Sequence, residues 1–416
     1  MAKIEIKPSK QLFTGNLIDG RSYLLCIEKH DINKFYWVEP HFKQLIDRVI
    51  LNKSHPNLEI LSKEDVRMLL SLAANKLVEF TIDDELFSNI TLNVTHEDEK
   101  ETNSAEIANN FNALLYETNS PFSVKLELTT SCNLRCKYCY MQGAKNILVN
   151  SKQWIKVLER LRLLGVVQLD ITGGEPLLYE GLSDIVQAAD GMGFDTKIHT
   201  NGVLINRSFV DIIKKLRSVD ICISFHSVDR DIFERFVQVK GVYSKIINSF
   251  EILSEARASF SAYIVLTAIN EATIFDTIEY LEKAHIKFDI SAFIFPNIYT
   301  ISENHEYRPS SEIVAKLIKK GYLKEKKSKT KCTALKTKFW ISSNGDILAC
   351  EMYRHLKVGN IFETDIGRIW NSDTADIFRT HIAQRISQTS SSCSSCKHRS
   401  YCGYCPAFCE IYTYRI

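Results

Sequence analysis

The sequence predicts an α/β protein built on a partial (β/α)6, TIM-like barrel. A small N-terminal α+β unit, winged-helix-like in its order of elements, precedes it, and a C-terminal iron–sulfur module follows. Three observations predict this. From Val124 onward, apolar runs of strand length alternate with amphipathic runs of helix length. Ahead of them, strand-like runs come first and helix-like runs second. Beyond Cys332 the apolar pattern thins and cysteines accumulate.

Each element is read from its own residues. In the N-terminal unit, residues 1–92, Ser22–Glu28 and Lys34–Val38 have strand character and are joined by a polar turn, Asp31-Ile-Asn-Lys. Helical spacing follows at Pro40–Leu51 and Lys63–Ala74, the second opened by Ser62 with Asp65 three residues on, a loose capping box. Lys76–Thr81 reads as a closing strand. The polar, acidic stretch 93–106 reads as a linker, part of a bridge over 93–121. Six strands are expected in 122–300, at Val124–Thr130, Val166–Thr172, Thr196–Thr200, Asp220–Phe225, Ser261–Leu266 and Phe288–Phe293. Helices are expected between them at Ser151–Leu164, Leu182–Met192, Arg207–Leu216, Tyr243–Ala256 and Thr273–Ala284. Such alternation gives a parallel sheet with right-handed crossovers, and six units give an open barrel rather than a closed one. Residues 301–331 form a connecting segment whose lysines, Lys316 to Lys331, read as a solvated helix and loop or as a dock for an acidic peptide. Residues 332–416 form a module held by metal.

Composition narrows the function classes. Of 416 residues 45% are hydrophobic and 52 basic residues face 50 acidic ones, so neither a nucleic-acid nor a membrane partner is expected. No apolar run has the length of a membrane span, and the N-terminus lacks the apolar stretch of a signal peptide. A cytoplasmic location is expected, where twelve cysteines are not structural disulfides. Cys26 and Cys222 stand alone among apolar neighbours and read as small core residues. The others cluster, as metal ligands do.

Cys132-Asn-Leu-Arg-Cys136-Lys-Tyr-Cys139 follows the first barrel strand. Three thiolates suit three irons of a 4Fe–4S cube and leave the fourth iron open to a non-protein ligand; a zinc site borrowing a fourth ligand is the structural alternative. After the second strand comes Gly173-Gly174-Glu175-Pro176. Its glycines permit close backbone approach, and Glu175 offers a carboxylate to a ligand's ammonium.

With these two motifs the chain resembles the radical S-adenosyl-L-methionine (SAM) superfamily over residues 122–300. The resemblance implies that Cys132, Cys136 and Cys139 ligate a cluster whose open iron takes the amine and carboxylate of SAM. It implies that Tyr138 packs on adenine, that Gly173, Gly174 and Glu175 hold the methionyl amine, and that Ser224 touches ribose or carboxylate. It also implies the reaction: reductive cleavage of SAM to a 5′-deoxyadenosyl radical that abstracts hydrogen from substrate. Related peptide-modifying enzymes read Ser-Leu-Asp-Gly where this chain has Ser224-Phe-His226-Ser227. His226 is therefore either a buried, hydrogen-bonded ring or a proton donor or acceptor.

The C-terminal cysteines, Cys332, Cys350, Cys393, Cys396, Cys402, Cys405 and Cys409, number seven, enough for one complete cluster and one with three protein ligands. They resemble the SPASM extension of radical SAM enzymes that modify peptides and proteins. By order of ligands, Cys332, Cys350 and Cys405 belong to an inner auxiliary cluster, and Cys393, Cys396, Cys402 and Cys409 to an outer one. The short spacings after Cys402 depart from the common pattern at Cys405 and Cys409. The N-terminal unit loosely resembles the RRE-like peptide-recognition domain of enzymes that mature ribosomal peptides, which takes a leader peptide as an added edge strand; a structural extension packed on the barrel is the plainer reading.

The modules together imply a maturase that forms a thioether or carbon–carbon cross-link in a leader-bearing precursor peptide, with flavodoxin or ferredoxin as electron donor. A protein side-chain oxidase resembling anaerobic sulfatase maturases and a non-catalytic metal-binding adaptor are the rival expectations.

Overall fold

A computed structural model of the chain describes residues 5–8, 12–28, 31–50, 68, 69, 72, 78–81, 104–144, 148–297, 304–325, 331–354, 356–388, 405 and 407. The N-terminal part holds β1 (Glu5–Pro8), β2 (Leu12–Asn16), β3 (Ser22–Glu28), β4 (Asp31–Val38), helix α1 (Pro40–Ile50) and β5 (Val78–Thr81). Strands β2, β3 and β4 form an antiparallel meander, while β5 pairs with β1. Asp31, expected in a turn, already pairs with Glu28, so the strand begins there. The expected helix at Lys63–Ala74 is described only at 68, 69 and 72, which are helical. Helix α2 (Ser104–Thr118) occupies much of the expected bridge. Its Phe111 ring lies 5.1 Å from Tyr23 and 4.9 Å from Phe35, so α2 closes the meander's core.

The barrel strands are β6 (Ser123–Thr129), β7 (Gln168–Gly173), β8 (Asp195–Thr200), β9 (Val219–Ser224), β10 (Phe260–Val265) and β11 (Lys287–Ser291). Between them lie α3 (Ser151–Leu164), α4 (Leu182–Gly191), α5 (Arg207–Ile213), α6 (Arg230–Val237), α7 (Tyr243–Glu255) and α8 (Ile274–Lys283). Local chemistry sets these boundaries. In α3, Asn150 caps the start by accepting from Gln153 N at 3.0 Å, and Gly165 ends it with φ 103°. Trp154, Val157, Leu158 and Leu161 form its buried stripe. Helix α6, capped by Asp229, lies where no helix was expected, because eight residues show too little periodicity to stand out.

All six strands run parallel in the order β6 to β11. Helix α9 (Ser311–Lys319) follows, with Val314 and Leu317 buried beneath it. Strands β12 (Lys338–Ile341), β13 (Asp346–Leu348) and β14 (Lys357–Asn360) extend the same sheet from the β6 side, β12 parallel to β6. The sheet thus has nine strands and does not close. Helices α10 (Ile366–Trp370) and α11 (Asp373–Gln388) follow.

Strand β2 docks on the turns that enter the barrel strands. Thr14 O accepts from Arg162 at 3.1 Å, and Leu12 O from Arg217 at 3.2 Å. The opposite, carboxyl ends of the strands are left for the cysteine loop.

Candidate functional site

The loop after β6 and the loop after β7 are bonded to each other through backbone. Gly174 N donates to Thr129 O at 2.7 Å and Glu175 N to Ser131 O at 2.8 Å. A β-carbon on Gly173 would stand 2.2 Å from Thr129 O, and one on Gly174 the same distance from Ser131 O. Only glycine permits this approach, and Gly173 also has φ 134°. The cysteine loop is pinned elsewhere too: Arg135 N donates to Val237 O at 3.0 Å, and Asn297 and Asn304 donate to the carbonyls of Cys139 and Tyr138 at 3.2 and 3.3 Å.

Within this loop the three thiols share one neighbourhood. Burial pushes the Cys136 thiol well above its ordinary range, and Cys139 and Cys132 add to the rise. Burial also raises Cys139 and Cys132. Three neighbouring thiols, Cys136 and Cys139 half-buried and Cys132 exposed, that repel one another as thiolates suit cationic iron. Among the described residues no three His, Cys, Asp or Glu side chains gather closely enough to hold a single ion; an iron–sulfur cube instead takes one thiolate per iron. The donors fit that group.

Glu175 is fully buried. Its carboxylate accepts from Thr200 Oγ1 at 2.6 Å, Asn201 N at 2.7 Å and Leu177 N at 3.0 Å. Burial raises its pKa and these donors oppose the rise. The carboxylate therefore ties the β7 loop to the end of β8. Thr200 and Asn201 were not among the expected site residues; their signal was a polar Thr-Asn-Gly at the end of a strand.

Tyr138 and His226 meet. The His226 ring stacks on Phe236 at 4.2 Å and its Nε2 lies 3.4 Å from the Tyr138 hydroxyl. Val265 N donates to Nδ1 at 3.3 Å, which leaves the ring proton on Nε2, facing Tyr138. Burial lowers the His226 pKa to about 3, so the ring is neutral. This is a satisfied, buried histidine that steadies the tyrosine. Ser224 ends β9, half-buried, beside Tyr263 of β10.

The barrel strands also alternate. Leu126, Ile171, Ile198, Ile221 and Ala262 face the helices, whereas Lys125, Asp170, His199, Cys222 and Tyr263 face the other way. Burial opposes the charge on Lys125, but Glu351, Asp170, Tyr263 and Cys222 outweigh it and raise its pKa. Tyr263 lies four strands from Lys125, so the sheet curls toward this face. The curl brings these polar side chains toward one another on the inner face of the sheet. Cys222 is buried but lies on this polar face rather than in the apolar core, because Ile221 and Ile223 take the core side of the pleat. A strand buried on both faces normally reads as a continuous apolar run; the polar alternation was the available signal.

In the C-terminal module Cys332, Cys350 and Cys405 pack half-buried against the main core. Burial raises the Cys350 thiol strongly, with Glu351 and Cys405 adding to it, so Cys350 and Cys405 are neighbours. Cys393, Cys396, Cys402 and Cys409 lie outside the described residues.

An open, parallel six-strand barrel with a three-thiol loop after its first strand, locked to a Gly-Gly-Glu loop after its second, defines a class of cluster-bearing enzyme folds. Residues 126–281 match the model of the Radical SAM superfamily, and residues 332–397 match SPASM, an iron–sulfur cluster-binding domain. The chain thus carries a radical SAM domain and a SPASM domain, whose cofactors are iron–sulfur clusters and SAM. It is 29% identical over 184 residues to the sporulation killing factor maturation protein SkfB of Bacillus subtilis (strain 168), covering 44% of this chain and 43% of that protein. It is 29% identical over 140 residues to the PqqA peptide cyclase of Granulibacter bethesdensis, covering 33% and 37%. The chain thus spans less than half the length of either relative. Among solved structures, Streptococcus suis SuiB bound to precursor peptide SuiA superposes with a TM-score of 0.60 at 18% identity, over 96% of this chain and 94% of that one. Among the described residues no helix is long and apolar enough to cross a membrane.

Proposed function

We propose that this chain is a cytoplasmic maturase that cross-links a ribosomally made precursor peptide through a thioether or carbon–carbon bond. The supporting observation is the combination, in one chain, of the three-thiol barrel, the SPASM domain and an N-terminal meander whose β4 edge pairs on one side alone among the described residues. Similarity to SkfB, to PqqA peptide cyclase and to the SuiB fold favours a peptide substrate. Beside β4 a cleft of about 730 Å³ is lined by Arg21, Trp37, Phe42 and Met68; an added leader strand would run past it.

Cys132, Cys136 and Cys139 hold the first cluster. Tyr138 packs on adenine, Gly173, Gly174 and Glu175 shape the amine pocket, and Ser224 meets ribose or carboxylate. When bound, SAM and the reduced cluster supply a 5′-deoxyadenosyl radical that removes hydrogen. The chain's part is to seat the peptide's reacting residue against the polar inner face of the barrel and to exclude water from it. Cys332, Cys350 and Cys405 serve an inner auxiliary cluster, and Cys393, Cys396, Cys402 and Cys409 an outer one. Flavodoxin or ferredoxin is the electron donor. Incubation with SAM, reductant and the short peptide encoded beside this gene is expected to yield a product lighter by two hydrogens. An unchanged mass for every neighbouring peptide contradicts the proposal; conversion of a folded protein without a leader favours a side-chain oxidase.

A further inference from the structure

We propose that Asn201 sets the reduction potential of the first cluster by donating a hydrogen bond to the sulfur of Cys132. The proposal rests on the cluster assignment to Cys132, Cys136 and Cys139 made above. Asn201 follows β8 and is buried. What its oxygen does fixes its orientation: Val203 N donates to Asn201 Oδ1 at 3.0 Å, so the amide nitrogen faces the other way. There Nδ2 lies 2.7 Å from Asn133 Oδ1 and 3.9 Å from Cys132 Sγ. An amide carries two protons, one for each acceptor. The residue is held from behind as well, since its backbone N–H donates to the buried Glu175. Leu134 N adds a backbone donor to the same sulfur at 3.4 Å.

Cys132 therefore sits between two N–H groups, one of them a side chain that a substitution can remove. A donor on a ligating thiolate draws charge from the sulfur and raises the potential of the attached iron. Asn201 is a positioning residue in this sense: it touches the ligand and acts through it. The same contact couples the Gly-Gly-Glu loop, through Glu175 and Asn201, to the cluster's sulfur.

The test is an EPR-monitored redox titration of the reconstituted full-length protein with SAM present. Asn201→Asp keeps the oxygen that caps Val203 but removes the donor; Asn201→Leu keeps the volume without either. Both midpoints are expected to fall below the wild-type value, Asp further than Leu because it adds negative charge. Wild-type midpoints in both variants, at wild-type iron content, overturn the proposal. A second reading needs no variant. Pulsed EPR of the reduced wild-type protein, with asparagine carrying ¹⁵N in its side-chain amide, is expected to show coupling to the cluster, and its absence also overturns the proposal. If wild-type protein forms no SAM-responsive cluster, the underlying assignment has failed instead.

Discussion

Gly174 and His226 carry the sharpest expectations at the scale of single residues. Gly174→Ala places a methyl carbon 2.2 Å from Ser131 O and 2.6 Å from Thr130 O, both backbone atoms that cannot yield without parting the two loops. Gly173→Ala adds the strain of a positive φ, worth about 1–3 kcal/mol. Each alanine variant is expected to fold with reduced thermal stability, to bind substoichiometric iron and to lose SAM cleavage at least tenfold. Iron assay and deoxyadenosine yield check this. His226 predicts a pH dependence whose sign follows from its lowered pKa. Above about pH 6.5 the ring is neutral folded or unfolded. Below that the unfolded chain takes up a proton that the folded one refuses down to about pH 3, so stability falls with pH by up to about 1.4 kcal/mol per unit. Comparing urea midpoints of wild type and His226→Gln from pH 7.5 to 5.5 should show the steeper slope in wild type. Residue types and spacing made the thiols and glycines legible in the sequence. The partners of Glu175 and the fixed tautomer of His226 were not, because they depend on which loop ends the fold brings together.

Periodicity served well at the scale of elements. The six barrel strands fall within one or two residues of expectation, since each couples an apolar face to a turn or cap at its end. Helices α2 and α6 were missed, α2 because its first turn continues a polar linker and α6 because it is short. The joint between barrel and C-terminal module was equally hidden. Glu127 of β6 accepts from Trp340 Nε1 of β12 at 2.8 Å and is clamped by both guanidinium nitrogens of Arg354, one at 3.0 Å. These residues lie more than 200 positions apart, and no local pattern links them. Glu127 is almost fully buried, so Arg354→Met strands its charge and is expected to cost about 3–5 kcal/mol. Replacing both partners, Glu127→Leu with Arg354→Met, should cost less than the single change. Chemical denaturation of the three proteins decides it; equal losses in single and double variants would contradict the clamp.

The two ends of the barrel strands hold different parts of the molecule. The meander and α2 sit at the entry ends and the cysteine loop at the exit ends, so a peptide bound at both, as proposed above, would have to pass around the barrel. The sequence implied the order of modules but not this arrangement, which depends on Arg162 and Arg217 reaching back to β2. Seven C-terminal thiols predict two auxiliary clusters, so the wild-type protein should hold about twelve irons and Cys350→Ala about eight, by iron assay and Mössbauer spectroscopy. The central claim, that Cys132, Cys136 and Cys139 hold a cluster with one corner open to SAM, is tested most directly by anaerobic reconstitution followed by dithionite and SAM. The expected result is 5′-deoxyadenosine and methionine from wild type and neither from Cys136→Ala. Equal yields from the two proteins, or none from wild type at full iron loading, would contradict it.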